Sequence, residues 1–193
     1  MFKSLTLAAA LLLAGNAFAA PVSYKIDANH TDVIAEWNHF GFSHPTARFG
    51  QVDGVIVYDA ATVGQSSVKV TIPLSGINSG VAKLDEHLRS SDFFDAEQFP
   101  TITFNSTRTE AAGDNKLRVA GDLTVHGVTR PVVLDVTLNK AGEHPNGKRA
   151  AIGFDASTTI KRSDFGINAA KFEEKVSNDI ELTFSLAGIA PHP

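Results

Sequence analysis

The chain contains no cysteine. That excludes disulfide staples, thiolate metal ligands, a cysteine nucleophile and a lipidated N-terminal cysteine. Methionine and tryptophan occur once each and tyrosine twice, against 13 phenylalanines. The aromatic content is therefore almost wholly apolar, without the polar handle of Tyr or Trp. A basic excess is also missing: 17 Lys and Arg stand against 21 Asp and Glu, a net charge of -4. A mildly acidic chain with scattered cations is a poor nucleic-acid binder, and no nucleic-acid partner is expected. No basic amphipathic helix is present to lie on a membrane surface. No hydrophobic run reaches the ~18–20 residues of a membrane-spanning helix, so no stable span is expected. There is no internal repeat, low-complexity tract or linker, which leaves one domain.

The N-terminus has the pattern of a leader. Lys3 supplies a positive n-region, Leu5–Leu13 a short apolar h-region, and Ala17-Phe18-Ala19 a small-x-small cleavage site. These features predict a secretory signal peptide over residues 1–19. Cleavage after Ala20 instead would place Pro21 first in the mature chain. The expected mature protein, Ala20–Pro193, is large enough to bury a sizeable core and, without cysteine, is stabilised by that core alone. The leader and the missing thiols together predict a periplasmic location in a Gram-negative cell.

What is present is a period of two. In KLRVAGDLTVHGVTRPVVLDVTLN (Lys116–Asn139), Leu117, Val119, Leu123 and Val125 share one face with Gly121 at the gap. On the second arm Val132, Leu134, Val136 and Leu138 share one face. Two such runs separated by a Gly-containing turn predict an antiparallel hairpin with one apolar face, with Pro131 where the second strand begins. The pattern recurs in Val33–Trp37, Val68–Leu74, Thr101–Thr107, Ile152–Thr158 and Ile180–Leu186, while Tyr24–Asp27 reads as a short first strand and Val52–Tyr58 as a strand from its nearly continuous apolar run. One short helix is expected, with Val81, Leu84 and Leu88 on one side and Asn78 or Ser79 as cap, acting as a lid or plug. SSDFF (Ser90–Phe94) would add a further turn. HFGFSHPTARFG (His39–Gly50) reads as a loop too oily for open solvent. Ala141–Lys148 and the charged Lys161–Lys175 read as surface loops.

Eight or nine antiparallel strands with one short helix close into a barrel or stack as a sandwich. An eight-strand barrel holds either side chains or one small ligand. The phenylalanines that gather in the loops and around the helix favour the ligand-bearing form. The fold class is therefore all-β: an antiparallel barrel of about eight strands.

Four segments, in order, resemble a known family. Asp27, His30-Thr31, Val33 and Trp37 followed by His39-Phe40-Gly41 resemble its opening D-x-x-H-[ST] strand. LRSSDFFDAEQFPTITF (Leu88–Phe104) resembles its L-R-S-x-x-F-x-x-x-x-[FY]-P block. Gly121–Pro131 resembles its G-x-L-T-x-H-G-V-T-[KR]-P hairpin, and Arg162–Gly166 its R-x-D-F-G. The family is YceI, the periplasmic polyisoprenoid-binding proteins with a lipocalin-like barrel. The resemblance implies a carrier that holds an amphiphilic isoprenoid lipid, of ubiquinone or polyprenyl phosphate type, in its barrel cavity. It implies no required cofactor, and it allows a homodimer.

Candidate ligand contacts are the rim residues Phe40, Phe42, Phe49, Phe93, Phe94 and Phe99, whose alternative role is to cap the ends of the core, and the inward strand residues Phe104 and Phe154, whose alternative role is to fill it. Val70, Ile72, Leu123 and Leu134 are also expected to face inward. Arg89, Asp92, Arg162 and Asp164 are the polar candidates, for a head group or for pairing that fixes the loops. His126 and Arg130 are expected to order the hairpin turn. No metal site is expected: His39 and His44 lie near His30 and Asp32, but no HExxH or comparable pair occurs. No catalytic residue is assigned. Ser, His and Asp occur without a recognisable elbow or relay, and the DFG at Asp164–Gly166 lacks the glycine loop of a kinase. The protein is read as a non-enzyme. The alternatives are a stress-related periplasmic interaction protein without lipid and, more weakly, a hydrolase.

Overall fold

A computed structural model describes residues 20–167 and 175–192. The expected signal peptide and part of the Lys161–Lys175 loop lie outside the described residues. The strands are β1 (Val22–Ile26), β2 (Asp32–Glu36), β3 (Thr46–Phe49), β4 (Asp53–Tyr58), β5 (Ser67–Pro73), β6 (Ile77–Asn78), β7 (Thr101–Gly113), β8 (Lys116–Val125), β9 (Val128–Glu143), β10 (Ala150–Lys161) and β11 (Asp179–Ile189), with one α-helix, α1 (Ala82–Arg89).

These segments make a closed antiparallel barrel of 8 staves, because three staves are each broken in two. β1 and β2 form one stave interrupted by a short 3-10 turn, and both pair with β11: Ile26 faces Gly188, and Ala35 faces Leu182. β3 and β4 form the next, pairing with β2 and β1 respectively. β5 and β6 form the third, against β4 and β3. The remaining staves are the continuous strands β7 to β11, each antiparallel to the one before. Each stave thus pairs with its sequence neighbours, and the first closes on the last. Closure pairs every stave on both sides, though the short β6 pairs only with β3.

The expected alternation is what the barrel wall requires. In β8, Leu117, Val119, Gly121, Leu123 and Val125 are all buried, with more exposed residues between them. Gly121 keeps the inward parity but carries no side chain because the Phe104 ring occupies the space where its Cβ would be. Ile152, Phe154 and Ala156 repeat the pattern in β10.

Several local expectations are corrected. Thr46–Phe49, read as loop, is strand β3, because Ala47 pairs with Ala35 and Phe49 with Val33. The hairpin turn is the two residues His126 and Gly127, both at positive φ (51° and 70°), so β9 begins at Val128. That is the geometry of a two-residue type I′ turn. Pro131 therefore sits inside β9, opposite Asp122. It is tolerated there because the pairing of β9 with β10 stops at Asp135 and Ser157, leaving Pro131 beyond it. The helix cap is Val81, not Asn78 or Ser79. Ser79 instead donates from its N–H and hydroxyl to Asp85 Oδ1, at 2.7 and 2.6 Å. Ser91–Phe94 is a run of turns, not helix, and β9 runs through Ala141 to Glu143.

Candidate functional site

Because the staves alternate in direction, the β2–β3, β6–β7, β8–β9 and β10–β11 connections all fall at one end of the barrel. The first carries Phe40 and Phe42, the second carries α1, the third is the His126-Gly127 turn, and the fourth begins with the 3-10 turn Arg162–Phe165. This end is the mouth. Below it lies a cavity of about 480 Å³, and a second of about 100 Å³ continues deeper into the barrel. Val33, Ile72, Ile102, Leu123, Leu182 and Phe184 form a wall common to both.

Helix α1 lies over the outer cavity, as a lid would. Leu84, His87 and Leu88 follow helical spacing, fall on one face, and line the space beneath. The Phe93 and Phe94 side chains come from the turns after α1. Phe94 stands edge-on to Phe49 of β3, with centroids 5.9 Å apart, and Phe93 edge-on to the His87 ring at 4.9 Å. Trp37, Phe40 and Ala47 add to the opposite wall. Ionisable side chains enter the described lining at only four points: His39, His87, Arg162 and Lys175. The described lining of this outer cavity contains no Ser, Thr, Asp or Glu. A pair of carboxylates or a nucleophile with its base is therefore absent from these lining residues.

Of the predicted contacts, Phe40, Phe49, Phe93 and Phe94 line the outer cavity, and Phe104 and Phe154 the inner one. Val70 and Leu134 line the inner cavity, and Ile72 and Leu123 line both. The structure does not bring Phe42 or Phe99 to either cavity. Phe42 projects into solvent, while Phe99 packs against the His126 ring, with centroids 4.9 Å apart. His126 itself is bonded from Nδ1 to the Phe165 carbonyl at 3.3 Å, so it ties the turn to the 3-10 segment.

The polar candidates separate. Arg162 is only 4% exposed and borders the outer cavity. Its guanidinium donates to three backbone carbonyls: Ser177 at 3.0 Å, Ile167 at 3.1 Å and Val176 at 3.1 Å. It holds the two ends of the β10–β11 connection together. Arg89 reaches toward the Ile77 carbonyl (3.4 Å), Asp92 pairs with His87 Nε2 at 3.3 Å, and Asp164 is exposed. None of these three lines a cavity. Sequence reading missed Trp37, His39, His87, Phe184 and the lining contributed by Val176. The outward signal for His87 was present: it lies three residues after Leu84 on the apolar side of a short helix. Among the described residues, no cluster of three or more His, Asp or Glu is placed to hold a metal, and no helix is long and apolar enough to cross a membrane.

Fold and site define a class: a closed meander barrel of 8 staves with an apolar cavity under a helical lid at one end. Within it, the chain belongs to the YceI-like domain family, whose model matches residues 24–187. It is 37% identical over 190 residues to a UPF0312 protein of Pseudomonas putida, covering 97% of this chain and 96% of that one. The crystal structure of Burkholderia cenocepacia BcnA is similar, with a TM-score of 0.77 and 26% identity over 84% of this chain and 98% of that one. A polyisoprenoid binding domain from Saccharophagus degradans has a TM-score of 0.67 at 17% identity, covering 88% of this chain and 99% of that one, and shares the fold.

Proposed function

We propose that this protein binds an amphiphilic isoprenoid lipid, of ubiquinone or polyprenyl phosphate type, and carries or stores it in the periplasm after loss of residues 1–19. The observation that carries the reading is the two-chambered apolar space, about 480 Å³ and about 100 Å³, opening beside α1. The outer volume lies within the ~300–1,000 Å³ of small-molecule sites. Burial is worth about 0.8 kcal/mol per CH₂, so one five-carbon unit contributes roughly 2–4 kcal/mol gross. A few units outweigh an association cost of order 4–15 kcal/mol. The tail needs no charged partner. It runs from the outer chamber past Leu123 and Phe184 into the inner one.

The head group stays at the mouth, where His39, His87 and Lys175 border the cavity. Arg162 serves the fold there, since three carbonyls already engage its guanidinium. The described lining of the outer chamber, without Ser, Thr, Asp or Glu, supports a binding role over a catalytic one. The polyisoprenoid-binding neighbour of the same fold supports the ligand class.

The test is native mass spectrometry of protein purified gently from its own periplasm, followed by solvent extraction of what it holds. A stoichiometric isoprenoid on a chain beginning at Ala20 is the expected result. A bare protein that takes up neither ubiquinone nor polyprenyl phosphate would overturn it and favour the interaction-protein reading.

A further inference from the structure

Phe42 is 92% exposed and Phe40 50% exposed, two large apolar side chains in one turn at the barrel mouth. The turn is built rather than loose. His39 N–H donates to the Ser43 carbonyl at 2.9 Å and Phe42 N–H to the His39 carbonyl at 3.0 Å. Asn38 Oδ1 accepts the Gly41 N–H at 2.6 Å. Toward the adjacent β10–β11 connection, Phe40 N–H donates to the Lys175 carbonyl at 2.9 Å, and Asn38 and Ser177 exchange backbone and side-chain hydrogen bonds at 3.0 Å. Phe40 is held at φ 55°, a conformation unfavourable for a bulky L residue. The strain and the hydrogen bonds together fix Phe42 outward at the tip, where it touches no core.

The same turn is continuous with the cavity, because Phe40 lines it. Its charge is also distinctive. The chain carries a net charge of -4, yet the turn from Asn38 to Pro45 holds no Asp or Glu and two histidines, His39 and His44. Arg48 in β3 pairs with Asp32 at 3.2 Å, and the acidic Asp85, Glu86, Asp92 and Asp164 of this end stand on α1 and the other connections. A fixed aromatic tip, free of acidic neighbours in sequence and adjoining an apolar opening, matches the chemistry of a bilayer interface, where Phe is buried among acyl chains and anionic head groups disfavour carboxylates.

We propose that the Asn38–Pro45 turn is a membrane-docking wedge: Phe42 inserts into the surface of a lipid bilayer and sets the cavity mouth against it. The inference rests on the isoprenoid-binding reading for its purpose, since a water-insoluble tail must pass between bilayer and barrel. The surface itself is tested separately.

The experiment is flotation of the mature chain with vesicles of phosphatidylethanolamine and phosphatidylglycerol, with light scattering of the same samples. Wild-type protein floats with the vesicles. Phe42→Asp reduces the bound fraction roughly tenfold or more, the loss expected when one buried Phe is withdrawn. Val133→Asp, which changes an exposed apolar residue on the barrel wall, leaves flotation unchanged. Wild type that stays with the free protein, or equal flotation of Phe42→Asp, overturns the proposal. So does a wild-type dimer that Phe42→Asp converts to monomer without any vesicle binding, which would make a second copy the occupant. Solvent extraction of the same proteins separates the two readings. Flotation that depends on Phe42 in a protein without isoprenoid supports the docking surface and overturns only the ligand. Retained isoprenoid without flotation does the reverse.

Discussion

Phe99 stands edge-on against His126, ring centroids 4.9 Å apart, and the same ring lies over Gly127 so closely that a Cβ there would approach Phe99 Cε1 to 2.5 Å. Gly127 is also at φ 70°, where only glycine is unstrained. Gly127→Ala therefore combines left-handed strain with a clash and is expected to cost about 2–3 kcal/mol. Denaturant unfolding measures it. Phe99→Leu in the same background should return part of the loss, because it removes the ring but not the strain. A Gly127→Ala protein as stable as wild type would contradict this account.

Arg162 is expected to matter to stability more than to ligand choice. Its removal leaves the Ser177, Ile167 and Val176 carbonyls without their donors. Arg162→Met should lower stability by roughly 2–4 kcal/mol. Arg162→Lys should recover little, because one ammonium cannot reproduce the guanidinium fork. Full stability of the lysine variant in a chemical-denaturation series would argue that charge alone suffices.

Phe94 lines the outer cavity and packs on Phe49 without being fully buried. Phe94→Asp should leave the barrel folded while weakening isoprenoid retention roughly tenfold to a hundredfold. Circular dichroism and extraction on one preparation give both readings. Unchanged retention in the folded variant would remove Phe94 from the site.

Leu123 belongs to the wall common to the two chambers. Leu123→Phe should narrow the passage at an overpacking cost of about 1–3 kcal/mol and shift bound tails toward fewer isoprene units. Mass spectra of extracted lipid report the distribution, and an unaltered one would show that tails do not reach the inner chamber.

Two carboxylates should contribute to the protein's loss of stability in acid. The Ser79 hydroxyl and N–H hold the Asp85 carboxyl below its usual range, and the His30 hydrogen bond, with the Asn29 N–H, does the same for Asp27. A lowered folded-state pKa means the unfolded chain takes up protons first. The stabilisation is therefore full above the ordinary carboxyl range and is lost as pH falls below about 4 toward the folded-state values. Asp85→Asn should lower stability at neutral pH by on the order of 1 kcal/mol and flatten the acid limb of the stability–pH curve. An unchanged acid limb would assign the pH dependence to other groups.

The strands were legible because each inward residue reports its own burial. Phe104 and Phe154 could be assigned to the interior by parity alone, and both are buried. β3 was not legible, since Thr46–Phe49 is four residues among Gly, Pro and His, and it is a strand only through its pairing with β2 and β6. The cap was misread for a similar reason: Ser79 has the right side chain in the right place, but Asp85 claims it. Phe40 and Phe42 have the same chemistry, yet one borders the cavity and the other points to solvent. Nothing in their spacing distinguishes them; the turn built on Asn38 and His39 does.

The sequence by itself determined the all-β class, the inward face of each long strand, the short helix and the family resemblance, because period, propensity and motif are local properties of the chain. Only the tertiary structure decided that broken segments join into eight staves closed by Lys25 against Ile189, and that space remains inside them. Only it showed Arg162 engaged by carbonyls and Phe42 outside the cavity. Those outcomes depend on pairings between residues far apart in the chain and on whether the inward side chains fill the barrel, and neither is encoded in any one segment.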